Sequence, residues 1–135
     1  MGNWIPNDPT LVAQILRISA AYTPPPPEGF VSPMTWGVES HVVERFGAAG
    51  IAAEKIACAS DTFTFDFDGT SDEFVGEFRR YYGPTMNAFD AATKNGRADA
   101  LQAELEALFK SHNKSGRDDR TTVDATFLRV TVAVP

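Results

Sequence analysis

The chain has 135 residues, 43% of them hydrophobic, and a formal charge of −6 from 12 Lys and Arg against 18 Asp and Glu. That is the size of one domain with a core, and the acidic balance without a Lys/Arg cluster argues against a nucleic-acid groove, where phosphate neutralisation supplies most of the binding. One cysteine permits neither an internal disulfide nor a cysteine-rich zinc site and points to a reducing cytoplasm, while no apolar run approaches the roughly 20 residues of a membrane span. The first residues, Met1-Gly2-Asn3-Trp4-Ile5-Pro6, have neither the basic segment nor the apolar run of a signal peptide.

In chain order, the first clear period predicts a helix from Asp8 to Tyr22. Asn7 or Asp8 supplies a capping acceptor and Pro9 suits the first helical position, while Leu11, Val12, Ile15, Leu16, Ser19 and Tyr22 share a stripe that leaves Arg17 solvated. Pro24 to Pro27 end it in a short polyproline spacer. The alternative, a ligand for an SH3-type partner, finds no basic residue flanking the prolines. A second helix is expected over Thr35 to Phe46, with Val38, Val42 and Phe46 aligned and Gly47 as its stop.

The period then changes. Ile51 to Ala59 reads as extended or mixed. Thr62-Phe63-Thr64-Phe65-Asp66-Phe67 alternates strictly, with three phenylalanines on one face of a strand. Gly69 breaks the strand, and Thr70 with Glu73 has the spacing of a capping box before a helix bearing Phe74, Val75, Phe78, Tyr81 and Tyr82. Gly83-Pro84 punctuates it. Met86, Phe89 and Thr93 suggest a further helix stopped by Asn95-Gly96, and Leu101, Leu105, Leu108, Phe109 and His112 mark another. Asn113 to Arg120 reads as a mobile polar loop. A last strand runs from Thr122 to Val134, with Leu128, Val130, Val132 and Val134 on one face and Phe127 and Arg129 on the other. The expected class is α+β in one domain, residues 1–135: about five helices with a small antiparallel sheet of two or three strands. Such a sheet has edges to cover, by the chain's own helices, by a second copy, or by the rest of a larger sheet.

The last option has residues behind it. Gly2-Asn3-Trp4-Ile5-Pro6-Asn7-Asp8, Pro24-Pro25-Pro26-Pro27, Ser32-Pro33-Met34-Thr35-Trp36-Gly37 with Val42, Val43 and Arg45-Phe46-Gly47, Phe63-Thr64-Phe65-Asp66-Phe67 with Ser71-Asp72-Glu73-Phe74, and Tyr81-Tyr82-Gly83-Pro84-Thr85 follow one another along nearly the whole chain. Together they resemble the second half of class I S-adenosylmethionine-dependent methyltransferases of the UbiE-like group. The resemblance implies that Asn3-Trp4 ends the fifth strand of such a sheet, that Thr62 to Phe67 is the sixth, and that Thr122 to Val134 is the seventh, antiparallel to its neighbours. It also implies that the cofactor belongs to the earlier strands and the acceptor to this side. The glycine-rich turn after a first strand and the acidic residue ending a second, which such sites use, are absent from these residues. The chain alone is therefore expected to bind no S-adenosylmethionine and to transfer no methyl group. It reads as a fragment, a truncated gene product or a half with another use, paired with a cofactor-binding half or with a second copy.

Individual sites divide between function and plain structure. Trp4, Trp36, Tyr81 and Tyr82 are the candidates for lining a small-molecule cleft, with core packing as the alternative, and Arg79-Arg80 could meet an anionic acceptor or simply face solvent. Asp66, Asp68, Gly69, Ser71 and Glu73 lack the spacing of a calcium loop and read as a polar turn. His41 and His112 stand apart without metal-ligand spacing, Cys58 reads as a packed thiol, and Arg117-Asp118-Asp119-Arg120 as a solubilising loop. No catalytic, cofactor-binding or metal residue is expected.

Overall fold

Alternation marks two strands; the chain builds three. A computed structural model describes residues 1–134. Its strands are β1 (Gly2–Trp4), β2 (Ile56–Phe67) and β3 (Thr121–Val132), and its helices α1 (Leu11–Ala20), α2 (Glu39–Ala48), α3 (Ser71–Tyr81), α4 (Gly83–Lys94) and α5 (Ala98–His112). The fold is α+β, with β3 in the middle of the sheet, antiparallel to β1 on one side and to β2 on the other. Phe127 sits at the junction, opposite Trp4 of β1 and Asp61 of β2. Gly2-Asn3-Trp4 is too short to show a period, so only its pairing identifies it as a strand.

The two ends of β3 bury opposite faces. Val123 and Ala125 lie under the larger layer, where Leu11 and Ile15 of α1, Phe74 and Val75 of α3, Phe89 of α4 and Leu101, Leu105 and Phe109 of α5 form one cluster. Leu128 and Val130 point the other way, against Val42 of α2, with Trp36, Phe46, Ile56, Cys58 and Val132 around them. Each fully buried Leu or Phe contributes about 1.5–3 kcal/mol by leaving water. At the Val123–Ala125 end, on the face away from the larger layer, strand residues are held through polar groups instead. Thr64 Oγ1 donates to Asp124 at 2.6 Å, Lys114 Nζ donates to the same carboxylate at 2.6 Å, and Arg120 grips Asp66 with two bonds of 2.7 and 2.6 Å.

Several expected boundaries move, each for a local reason. The first helix begins at Leu11, not Asp8, because the Asp8 carboxylate accepts from Thr10 N at 2.8 Å and closes a turn before the helix. Pro9 lies in that turn. The expected helix over Thr35–Phe46 is two elements: a 3₁₀ turn over Pro33–Gly37, capped by Ser32, and α2, separated by Val38 in an extended conformation. Gly47 does not stop α2. Gly50 does, at φ +84°, with Ile51 N bonding Phe46 O and Gly50 N bonding Gly47 O, both at 2.9 Å, the paired bonds of a left-handed helix end.

On α4 the buried stripe is Thr85, Ala88, Phe89 and Ala92, while Met86 is 42% exposed and Thr93 faces solvent. The last strand stops at Val132 and leaves Val134 exposed. The expected mobile loop is tied down: Asn113 Nδ2 donates to Arg120 O at 2.9 Å, Ser115 Oγ to the same oxygen at 2.7 Å, and Thr122 N to Asn113 Oδ1 at 2.9 Å. The expected capping box is present, with Glu73 N donating to Thr70 Oγ1 at 3.2 Å and Thr70 N to Glu73 Oε2 at 2.8 Å.

Candidate functional site

Three clefts meet at Trp4, at the end of the edge strand β1. The first, about 290 Å³, has Trp4 and Val12 on one side, Phe65 of β2 beneath, and Phe74, Glu77, Phe78 and Tyr81 of α3 with Tyr82 on the other. A second, about 240 Å³, runs along the same sheet face between Trp4, Phe63 and Phe127. A third, about 230 Å³, places Gly2, Asn3 and Trp4 against Pro33, Met34, Tyr82 and Pro84. The volumes are at the small end for a small-molecule site.

Local sequence explains the walls. Strand alternation puts Phe63, Phe65 and Phe67 on one face, and the spacing of Phe74 and Phe78 turns both rings down onto it. The rings hold one another edge to face: Phe65 and Phe78 at 6.1 Å, Phe74 and Phe78 at 5.3 Å, Phe78 and Tyr82 at 5.4 Å between centroids. Trp4 meets Phe127 in the same way at 6.2 Å. Tyr82 is half-buried, and burial pushes its phenol above the usual value while the Trp4 indole N–H acts in the opposite direction. Tyr81 stands at the rim, 71% exposed.

Of the residues singled out from sequence, the structure therefore brings together Trp4, Tyr81 and Tyr82. Trp36 is elsewhere: it belongs to the cluster on the opposite sheet face, 6.0 Å from Phe46 and covered by the Arg45 guanidinium at 4.4 Å. Arg79 is turned away as well, stacked on Phe89 at 4.2 Å and donating to Gln102 at 3.2 Å, because its place on α3 faces α4 and α5. Phe65, Phe74 and Phe78 were legible only as core. Their periodicity says which face they share, and only the packed structure says that this face is left partly uncovered.

The other candidates fall into structural roles. Cys58 packs in the smaller cluster, and burial, with the Glu39 charge nearby, pushes its thiol up. Exposed His41 lies 3.9 Å from Glu44. Asp66 is occupied by Arg120, and Glu73 by its cap. Among the described residues no three His, Cys, Asp or Glu side chains gather as metal ligands. A cavity of about 540 Å³ between the start of α3 and the loop after α5 is lined by polar and charged residues, and its cations are already paired, Lys110 with Asp72 at 2.9 Å and Arg117 with Asp119 at 2.7 Å. Among the described residues no helix is long and apolar enough to cross a membrane. Comparison with family models, curated proteins and solved structures finds no match to this chain.

Proposed function

We propose that these residues are the acceptor side of a class I, UbiE-like methyltransferase fold, which on their own hold a small molecule or a partner but not S-adenosylmethionine. The observation that carries this reading is the strand order. The last strand lies between the other two and runs antiparallel to both, and the resemblance makes the last strand antiparallel to its neighbours. The aromatic clefts support it too, since they open beside the end of β1, on the side where the resemblance sets the acceptor.

Cofactor binding is a different matter. Among the described residues, the strand that turns directly into a helix is β2, through Asp68, Gly69 and Thr70. That turn is used for capping α3, and a Cβ on Gly69 would meet Phe67 and Glu73, so its glycine serves packing and leaves no backbone cradle for a nucleoside. Titration calorimetry of this chain with S-adenosylmethionine is expected to give no binding heat; a micromolar Kd would overturn the reading. Methyl transfer, in this reading, needs a cofactor-binding half supplied by other residues or another chain. A cytoplasmic setting suits the single, partly buried thiol of Cys58. A second reading, an interaction module that pairs with its own copy, is favoured by the unpaired outer edges of β1 and β2 and by Phe63 of β2, 53% exposed.

A further inference from the structure

We infer that the groove between Trp4 and α3 selects an apolar organic cation, an ammonium carrying hydrocarbon substituents, over neutral and anionic ligands of the same size. The inference names the ligand class of the acceptor groove, and so it rests on the reading above. Its basis is the charge of the lining. Six of the eight residues around the groove are aromatic, one is Val12, and the remaining one is Glu77. No lysine, arginine or histidine is among them.

Aromatic faces carry negative charge in their quadrupole, so a ring-lined wall attracts a cation that has already shed part of its water, and alkyl groups on nitrogen lower that hydration cost. A carboxylate at the margin adds direct attraction. The same wall offers a carboxylate or phosphate no cation among its lining residues; the nearest, Arg80, is engaged at the margin with Glu77 and Tyr81. Glu77 is not idle: Arg80 Nη1 lies 3.4 Å from its Oε1, with both side chains largely in solvent. Such an exposed pair is weak, and it leaves the second carboxylate oxygen available. Arg80 also reaches the Tyr81 ring at 5.7 Å, on the rim and outside the groove. Tyr81, 71% exposed, adds its ring to the groove's rim.

The test uses three probes of similar size: benzyltrimethylammonium, benzyl alcohol and phenylacetate. Trp4 emission is followed at constant ionic strength, with a Trp4→Phe variant identifying the contribution of Trp36, which lies on the other sheet face. The cation is expected to saturate the Trp4 signal at a concentration about tenfold lower than benzyl alcohol does, with phenylacetate weakest. Glu77→Gln should reduce that preference, leaving the part the rings supply, and leave the affinity for benzyl alcohol unchanged. Tyr81→Ala, at a position too exposed to threaten folding, should weaken the cation several-fold.

Equal or tighter binding of benzyl alcohol would overturn the inference, as would a cation preference left unchanged by both Glu77→Gln and Tyr81→Ala, or the absence of any saturable Trp4 response. None of those outcomes touches the calorimetric test with S-adenosylmethionine. That cofactor's binding would sink the proposed function while leaving cation selectivity in place.

Discussion

A Cβ placed on Gly37 would stand 2.0 Å from the carbonyl oxygen of Trp4 and 3.1 Å from Pro6 Cδ. The side chain must be absent for the 3₁₀ turn to lie against β1, and β1 in turn positions the indole that all three clefts share. Gly37→Ala is expected to cost about 1–3 kcal/mol and to shift Trp4 emission, both read from a urea titration followed by fluorescence. An unchanged midpoint and spectrum would mean that the turn moves aside freely. Single residues also mark where sequence reasoning ends. Trp36 and Trp4 are the same residue type, each preceded by one polar residue, Thr35 or Asn3, yet one is wrapped by Arg45 and Phe46 and the other opens to the clefts. Likewise, Arg79 and Arg80 are adjacent, but one is stacked on Phe89 and the other lies beside Tyr81. A helix turns 100° between neighbours, so the partner of each depends on which helix stands beside which face.

At the scale of elements, the β2–β3 pair combines an apolar face with an ionic one. Asp66 is held below the usual carboxylate range by its hydrogen bonds from Arg120, and Asp124 by those from Lys114 and Thr64. Both are more acidic in the folded chain than the ~3.9 of a free aspartate, so what they contribute is fully present above that value and is lost as pH falls through their folded pKa values. The urea midpoint is therefore expected to hold steady from neutral pH to about pH 5 as far as these groups act, and to drop below about pH 4. Asp66→Asn combined with Asp124→Asn should flatten that acid limb. A double variant with the parent's pH profile would show that the ladder adds nothing, as exposed pairs often do.

Strand alternation and the Thr70–Glu73 box were readable because each depends on contacts within a few residues. The start of α1, the division at Val38 and the register of α4 were not. Asp8 serves a turn rather than the helix, Val38 extends where the chain leaves Gly37, and α4 presents Thr85, Ala88 and Phe89 because α1, α3 and α5 surround it.

Taken as a whole molecule, the sheet is unbalanced. Helices cover one face at the β2–α3 end and the other at the β1–α2 end, while the outer edge of β1 has no strand beside it. An unpaired edge beside apolar side chains favours association, against which the charge of −6 works. For the self-pairing reading, sedimentation velocity should give a dimer at micromolar concentration, and Gly2→Pro should shift it towards monomer. A monomer at all concentrations would leave the β1 edge for a different partner.

Composition, alternation and capping signals in these 135 residues already determined an acidic α+β chain with five helices and two long strands, because those signals come from spacing of 2 or 3.6 residues along the chain. No period along the chain marks the third strand, the insertion of the last strand between the other two, or the gathering of Trp4 with Tyr81 and Tyr82; tertiary structure decided them. They join segments up to more than 100 residues apart, as in the bond from the Met1 amino group to Val130 O, and no local period records such a contact.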